Sequence, residues 1–177
     1  MHIDSNPYGT LSDGRSIDRF TLVNGGLTCK IITFGGIITE LHAPDRNGNT
    51  RDVVLGLPSL EAYKAGHPYL GAITGRVAGR INRGTFELEG KTYRLPLSQP
   101  PNHLHGGESG LDKRVWEATA TQTDLDEPSL RLSYLSPEGE EGYPGNVDIT
   151  VTYTLTHHGE LRIDYHATTD TPTPFSP

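Results

Sequence analysis

Two histidines with one residue between them, His103 and His105, are the first candidates for chemistry in this chain. They lie in the stretch PPNHLHGGESG, between a diproline and a diglycine. On a strand, such a pair directs both imidazoles to the same face, where Glu108 could add a carboxylate. The stretch therefore supports three interpretations: a metal site, a substrate site, or a polar turn stiffened by proline and opened by glycine.

The metal interpretation depends on spacing. The order H-L-H-G-G-E is loosely similar to the metal motif of the cupins, another all-β family, but cupins usually place more residues between the second histidine and the glutamate. Here only two glycines separate His105 from Glu108, and none of the later histidines, His157, His158 and His166, is an obvious third ligand. We therefore predict that the chain binds no metal.

The substrate interpretation requires polar partners elsewhere, and the stretch GAITGRVAGRINRGTF supplies Arg76, Arg80 and Arg83 among glycines. Glycines let a ligand or a neighbouring strand approach the backbone, and a planar guanidinium can donate two parallel hydrogen bonds to vicinal hydroxyls. Arginines that are only solvated, or paired with acidic neighbours, would give the same pattern. The residue types alone leave the substrate site and the turn both open.

Composition limits the class of protein. The 177 residues contain 15 Lys and Arg against 22 Asp and Glu, for a net charge of −7, so nucleic acid is not an expected partner. The single cysteine, Cys29, excludes an intrachain disulfide and a zinc site built from several cysteines. The N-terminal sequence does not resemble a signal peptide, and no apolar stretch is long enough to cross a membrane. We expect a soluble, cytoplasmic protein without a membrane partner, and the sequence does not predict its oligomeric state.

Short alternating segments dominate the chain, which is punctuated by 21 glycines and 13 prolines. The clearest strand is NVDITVTYTLT, in which polar residues alternate with Val147, Ile149, Val151, Tyr153 and Leu155. The turn HHGE and a second alternating segment, LRIDYHA, follow it. The two segments are predicted to form a hairpin with one apolar and one polar face.

Further hairpins are predicted where glycine relaxes the backbone, at Glu89-Gly90 and at Gly35-Gly36. The segments DVVLGL, WEATATQT and SLRLSYL add strands, and only SLEAYKAG, capped by Ser59, is typical of a short helix. Many short strands in series, joined by turns, predict an all-β sandwich. There is no internal repeat and no convincing domain linker.

Four motifs in this chain resemble those of the aldose 1-epimerases, also called galactose mutarotases. They are GRVAGRINRGTFELEGKTYRL, NHLHGG, GLDKRVW and GYPGNVDITVTYTL, in the family's order and with compatible spacing, from about Gly71 to Leu155. Weaker similarity extends to both ends of the chain. The resemblance implies a β-sandwich of the galactose mutarotase type, a cleft for an aldose such as glucose or galactose, and interconversion of its α and β anomers without a metal or nucleotide cofactor.

The same resemblance assigns the substrate-binding residues. The family's sugar-contacting arginine is the second one of G-R-x-x-x-R-I, which is Arg80, and the first, Arg76, is a supporting residue. The family's site histidine precedes Gly-Gly and is His105, whereas His103 falls at a variable position and receives no role. Where the family often has asparagine before the second arginine, this chain has Gly79, so only a backbone contact with the sugar is expected there.

The family's catalytic acid and base lie outside the matched positions. The acid is a histidine in a T-N-H motif that should begin where this chain stops, at Pro177, and the base is a glutamate nearer the family's C-terminus. The resemblance therefore implies that residues 1–177 are the N-terminal portion of a single mutarotase-like domain, incomplete at the C-terminal end and without a catalytic residue. Such a chain is expected to be inactive and poorly stable alone, with the apolar face of its last hairpin uncovered.

Two alternative functions remain. A non-catalytic sugar-binding or sensor domain of the same fold could keep Arg80 and His105 without the acid and the base. A cupin-like metal protein is the more remote alternative, and metal analysis of the purified protein would test it.

Overall fold

The chain forms two antiparallel β-sheets in the computed structural model, which describes residues 1–177. In the first sheet each strand pairs with the strand before it, so spatial order follows chain order. Its strands are β1 (His2–Thr10), β2 (Ser16–Asn24), β3 (Leu27–Ile32), β4 (Ile38–Pro44) and β5 (Thr50–Asp52).

The middle of the chain forms one short helix and two small ribbons. The helix, α1 (Leu60–Lys64), begins after Ser59, whose hydroxyl accepts the N–H of Ala62 as predicted for its cap. In the ribbons the first strand pairs with the fourth and the second with the third. These strands are β6 (Arg80–Ile81), β7 (Thr85–Leu88), β8 (Lys91–Arg94) and β9 (His103–Leu104). Short 3-10 turns cover Asn82–Gly84, Leu111–Lys113 and Glu140–Gly142.

The second sheet is also built from consecutive strands. They are β10 (Glu117–Gln122), β11 (Pro128–Ser136), β12 (Val147–Leu155) and β13 (Leu161–Thr169). β12 and β13 are paired along their whole length, which confirms the predicted C-terminal hairpin. None of the helices has the length and apolar character that a membrane crossing requires.

The two sheets face each other across an apolar core, which confirms the predicted all-β sandwich. Because side chains alternate along a strand, β12 directs Val147, Ile149, Val151 and Tyr153 inward, and all four are buried. Each such side chain contributes about 1.5–3 kcal/mol when fully buried. Residues of both sheets complete this core: Phe20, Leu22, Cys29, Ile31, Leu130 and Leu132.

The expectation that the last hairpin lies uncovered is wrong for β12. The first sheet covers this strand, since β2 packs against both β11 and β12. The expectation holds for part of β13, the outer strand of its sheet, where Ile163 and Tyr165 are 38% and 46% exposed. An uncovered apolar face, one reason for expecting the chain to be poorly stable, is therefore present only on part of β13. The stability of the chain stays a prediction.

Two of the other predicted segments have different outcomes. The β7–β8 hairpin is confirmed, with Phe86 opposite Tyr93 and left-handed backbone at Glu89 and Gly90. The prediction of a strand over DVVLGL is wrong, because regular pairing stops at Asp52. One more backbone hydrogen bond follows, from the N–H of Val53 to the Leu41 carbonyl, but the N–H groups of Leu41 and Val54 donate to the Asp52 carboxylate and not to a partner strand.

Cys29 lies in β3 and is fully buried. Burial in this apolar core raises the pKa of its thiol to about 12. The cysteine is therefore protonated and packs as a small apolar side chain.

Candidate functional site

The β6–β9 ribbon brings together the three residues that the resemblance assigns to the sugar. Arg80 lies opposite Leu104 in this ribbon, and His105 follows directly after it. The N–H of His105 donates to the carbonyl of Gly79 at 2.9 Å, which extends the pairing by one residue. Gly79, Arg80 and His105 are thus neighbours in space, while their assignment to sugar binding stays a prediction.

A second hydrogen bond from the same glycine holds the ring of His105. The N–H of Gly79 donates to His105 Nδ1 at 3.0 Å, so Nδ1 must be the unprotonated nitrogen and Nε2 must carry the proton. Burial, followed by the charge of Arg80, lowers the pKa of His105, and Asp112 opposes this shift. The half-buried ring is therefore neutral at neutral pH and presents a single N–H donor, at Nε2.

Arg80 is exposed and is held at one edge only. Its Nε donates to Oε1 of Gln99 at 2.6 Å, and its two terminal amino groups have no partner in the protein. A guanidinium held in this way can offer two parallel N–H donors to neighbouring oxygens of a ligand.

Gly79 has a left-handed backbone, with φ of 80°, and no atom lies within 4 Å of the position that a Cβ would take. Glycine is therefore favoured here by the backbone conformation and not by lack of space. Because its N–H is used by His105, only its carbonyl retains a lone pair for a ligand hydroxyl. The predicted backbone contact with the sugar could come from that carbonyl alone.

Arg76 lies beneath this surface and is only 2% exposed. Its Nε donates to the Ser136 hydroxyl at 2.9 Å, and its terminal nitrogens donate to the carbonyls of Ser136, Pro137 and Pro144 and to the Thr173 hydroxyl. A guanidinium bonded in this way has no free donor for a ligand. Its contacts fit the supporting role that the resemblance implies.

His103 is buried and also fully engaged. Its Nδ1 bonds the Pro96 carbonyl at 2.8 Å, and its Nε2 bonds the Tyr143 hydroxyl at 2.9 Å. An imidazole with both nitrogens engaged, like His105 with its Nδ1 engaged, is poorly suited to hold a metal. No three His, Cys, Asp or Glu side chains converge in the arrangement that a metal ion would need. The prediction that the chain binds no metal still requires metal analysis.

Sequence reasoning missed two residues that touch the site residues. Tyr69 packs on His105, with ring centroids 4.5 Å apart, and Lys113 Nζ lies 5.4 Å from the centre of the same tyrosine ring. Gln99 orients Arg80. No local sequence pattern indicates Tyr69 or Gln99, because each is distant in sequence from the residue that it contacts.

Protein groups engage the carboxylates close to His105. Glu141 accepts the N–H groups of Glu108 and Ser109, in the turn that follows the histidine. Asp112 is 1% exposed and pairs with Lys113 Nζ at 2.6 Å, while its second oxygen has no partner but is enclosed by protein. Neither carboxylate is placed as an open general base.

The largest cavity of the molecule lies elsewhere. It has a volume of about 500 Å³ and lies on the outer, polar face of the second sheet, where Glu117, Arg131 and Asp148 contribute to its lining. It shares no residue with the group around Arg80 and His105. Chemistry and hydrogen-bond geometry, and not cavity size, therefore identify the ribbon as the candidate site.

Known proteins are similar to this chain over all or nearly all of its length. A family profile described as Aldose 1-epimerase matches residues 18–177. The chain is 44% identical to the galactose mutarotase of Sus scrofa over 175 residues, which cover 98% of this chain and 49% of that protein. It is 35% identical to the maltose epimerase of Levilactobacillus brevis over 178 residues, which cover 100% of this chain and 52% of that protein.

The fold is shared as well. The crystal structure of galactose 1-epimerase from Lactobacillus acidophilus NCFM matches with a TM-score of 0.86 and 27% identity, covering 98% of this chain and 50% of that one. The chain spans about half the length of the curated relatives it matches.

Proposed function

Because this chain belongs to the aldose 1-epimerase family, we propose that it supplies the sugar-holding part of an aldose 1-epimerase site. The substrate is an aldose of the glucose or galactose type, and the reaction interconverts its α and β anomers. Galactose and maltose appear in the names of similar proteins, which supports a free reducing sugar as the ligand class.

The observation that carries this proposal is the proximity of Arg80 and His105, because His105 makes two hydrogen bonds to Gly79, the residue directly before Arg80. Arg80 on β6 offers two free guanidinium nitrogens, and His105, directly after β9, offers one imidazole N–H. Vicinal hydroxyls suit the guanidinium, because two parallel N–H groups can each reach one oxygen. The imidazole N–H suits a single oxygen, such as the ring oxygen of the sugar.

Mutarotation opens the hemiacetal ring and closes it again on the other face of the anomeric carbon. A base must remove the proton of the anomeric hydroxyl while an acid protonates the ring oxygen, and the two roles then reverse. A neutral donor at His105 Nε2 would stabilise negative charge that develops near the ring oxygen, and Arg80 would hold the sugar in register.

We further propose that His105 is not the proton-transfer acid and that other residues of the family's enzyme provide the acid and the base. His105 Nδ1 is bonded to Gly79, and burial lowers the pKa of the ring, so protonation of this histidine is disfavoured. Glu141 and Asp112 are engaged with other groups. The 177-residue chain alone should therefore hold sugar without accelerating the exchange of anomers.

The binding part is tested by NMR titration of the chain with galactose and glucose. Arg80→Gln removes the guanidinium and should weaken binding about tenfold, the effect of losing one to two charge-assisted hydrogen bonds. Arg83→Gln is the matched control, since Arg83 is exposed and its side chain makes no hydrogen bond or ion pair. Equal losses in both variants, or no binding by the unmodified chain, would contradict the proposed site.

The catalytic part is tested by polarimetry on freshly dissolved α-D-galactose. The chain alone should follow the buffer rate, and a version extended to the length of its relatives should exceed it. Acceleration by the chain alone would contradict the assignment of the acid and base to other residues. An extended version that binds galactose without accelerating mutarotation would favour the sensor alternative.

A further inference from the structure

The loop between β11 and β12, residues 137–146, carries two adjacent glutamates that turn in different directions. Glu140 binds back to its own sheet, where its carboxylate accepts the hydroxyls of Tyr134 and Ser136 and pairs with Arg114 at 3.0 Å. Glu141 reaches away from the sheet, towards the turn that follows His105. A single dipeptide therefore links the second sheet to that turn.

The contact of Glu141 with the turn uses only backbone donors. Its carboxylate accepts the N–H of Glu108 at 3.2 Å and the N–H of Ser109 at 2.9 Å. Hydrogen bonds to an ionised acceptor are roughly twice as strong as neutral ones. Glu141 thus gives a charged partner to two amides that a loop would otherwise leave to water.

The turn and the carboxylate fit each other sterically. Glu141 has a left-handed backbone, with φ of 48°, and Gly139, two residues earlier, is left-handed as well. Gly107 has no side chain, and a Cβ at this position would collide with the Glu141 carboxylate. The second glycine of the diglycine is therefore favoured by its φ of 109°, and a side chain there would also displace the Glu141 carboxylate.

His105 is consequently fixed on both sides. Before the turn, Gly79 holds its N–H and its Nδ1. Beyond Gly106 and Gly107, Glu141 holds the next two amides. Since His105 itself has a left-handed backbone, with φ of 48°, release of one side would let the peptide relax and move the ring.

We propose that Glu141 is a positioning residue for His105, which it holds through the turn 106–109 without touching the ligand. The expected effect of Glu141 on sugar binding rests on the proposed function. Its expected effect on the orientation of the His105 ring does not depend on that proposal. Loss of the carboxylate should release the turn, free Nδ1 of His105 from Gly79 in part of the molecules, and weaken galactose binding about tenfold.

The test compares Glu141→Ala and Glu141→Gln with Glu138→Ala in the 177-residue chain. Glu138 is in the same loop, is exposed, and its side chain makes no hydrogen bond or ion pair, so it matches the change in charge. The ¹⁵N shifts of the His105 ring report its tautomer, and amide exchange at Glu108 and Ser109 reports the turn. Galactose titration of the same samples reports binding.

Glu141→Ala should move the His105 ring towards a mixture of tautomers and speed exchange at Ser109 by about tenfold or more. Glu141→Gln should fall between Glu141→Ala and the unmodified chain, since one amide oxygen can replace one of the two acceptors. Glu138→Ala should change neither signal. General loss of stability would lower the midpoint of unfolding without altering the ring of the folded molecules.

An unchanged His105 tautomer in Glu141→Ala would overturn the inference, whatever the sugar titration shows. A released turn with unchanged galactose affinity would also overturn it, since Glu141 would then serve the loop alone. If the unmodified chain binds no galactose, the proposed function fails, and the ring signal still decides whether Glu141 positions His105.

Discussion

The candidate site contains two arginine–histidine pairs, one beneath its surface and one at the surface. The pairs differ in how many of their side-chain nitrogens bind other protein groups. Arg76 and His103, the buried layer, donate to or accept from protein groups at every nitrogen. Arg80 and His105, the open layer, are each held at one nitrogen and free at the others. The same two residue types thus build the scaffold and, a few residues later, the surface that it supports.

This difference shows that a side chain becomes available to a ligand when its partners leave some of its hydrogen-bonding capacity unused. Partial fixation is also useful, because a ring or guanidinium held at one edge loses less freedom on binding than a mobile one. Both layers meet at the β11–β12 loop. Its carbonyls bind Arg76, its Tyr143 binds His103, and its Glu141 holds the turn beyond His105.

The largest expected effect comes from the buried layer. Arg76→Ala should destabilise the chain by about 4 kcal/mol or more, because it removes a buried side chain and leaves several buried carbonyls without donors. Urea unfolding followed by circular dichroism measures this loss. Arg83→Ala, in the exposed part of the same segment, should stay within about 0.5 kcal/mol. An Arg76→Ala chain as stable as the original would remove the distinction between the layers.

The next effect separates the two histidines. In a version extended to the length of its relatives, His105→Ala should lower kcat/KM for mutarotation about 10²–10³-fold, the effect of losing one donor to a developing charge. Its stability should change by less than about 1 kcal/mol. Polarimetry and urea unfolding of the same preparation give both numbers.

His103→Ala should show the reverse pattern. It leaves the Pro96 carbonyl and the Tyr143 hydroxyl without a partner and opens a cavity, which costs about 2–4 kcal/mol of stability. Its activity per folded molecule should remain within about tenfold of the original. Equal activity losses for the two histidines would sink the assignment of the open layer.

A smaller effect concerns pH. Protonation of His105 would place a hydrogen on Nδ1 against the N–H of Gly79, so galactose binding should weaken as the pH falls below 6.5 and through the lowered pKa of this histidine. Over this pH range the unfolded chain binds more protons than the folded chain, so the free energy of unfolding decreases as the pH falls.

Burial also lowers the pKa of His67, which shifts stability in the same direction. The difference between the original chain and His105→Gln isolates the contribution of His105. Titrations and unfolding from about pH 5 to about pH 7.5 should show the dependence in the original chain and a weaker one in the variant. Identical pH profiles would contradict the assigned tautomer.

The smallest effect is expected at Gly79. Asparagine tolerates a left-handed backbone better than most residues, and the space beside Gly79 is open, so Gly79→Asn should change stability by about 1 kcal/mol or less. The added amide should strengthen galactose binding by roughly two- to fivefold if it faces the sugar. Gly79→Ala, which has the same backbone strain without the amide, is the control in the titration.

The regular strands could be predicted from the sequence because their signals are local. The alternation of β12, the turn at Glu89-Gly90 and the cap at Ser59 each depend on neighbouring residues. The wrong strand over DVVLGL shows the limit of such signals. Its apolar residues suit a strand, but the Asp52 side chain takes the backbone donors that further pairing would use.

The layers of the site could not be predicted from local patterns. Arg76 and Arg80 share a glycine-rich segment, and His103 and His105 share a turn, so nothing nearby indicates which member of each pair is buried. Their partners come from distant positions, such as Ser136 for Arg76. Only the resemblance to a family distinguished Arg80 from Arg76 and His105 from His103. The hydrogen bonds give the physical reason for the difference.

The single thiol of the chain offers a built-in reporter. Cys29 is enclosed between the sheets and its raised pKa, about 12, keeps it in the unreactive protonated form. An alkylating reagent can therefore reach it only when the sandwich opens, and the labelling rate measures how often that happens. With no second cysteine to compete, this residue turns each opening of the core into a covalent mark that can be counted by mass.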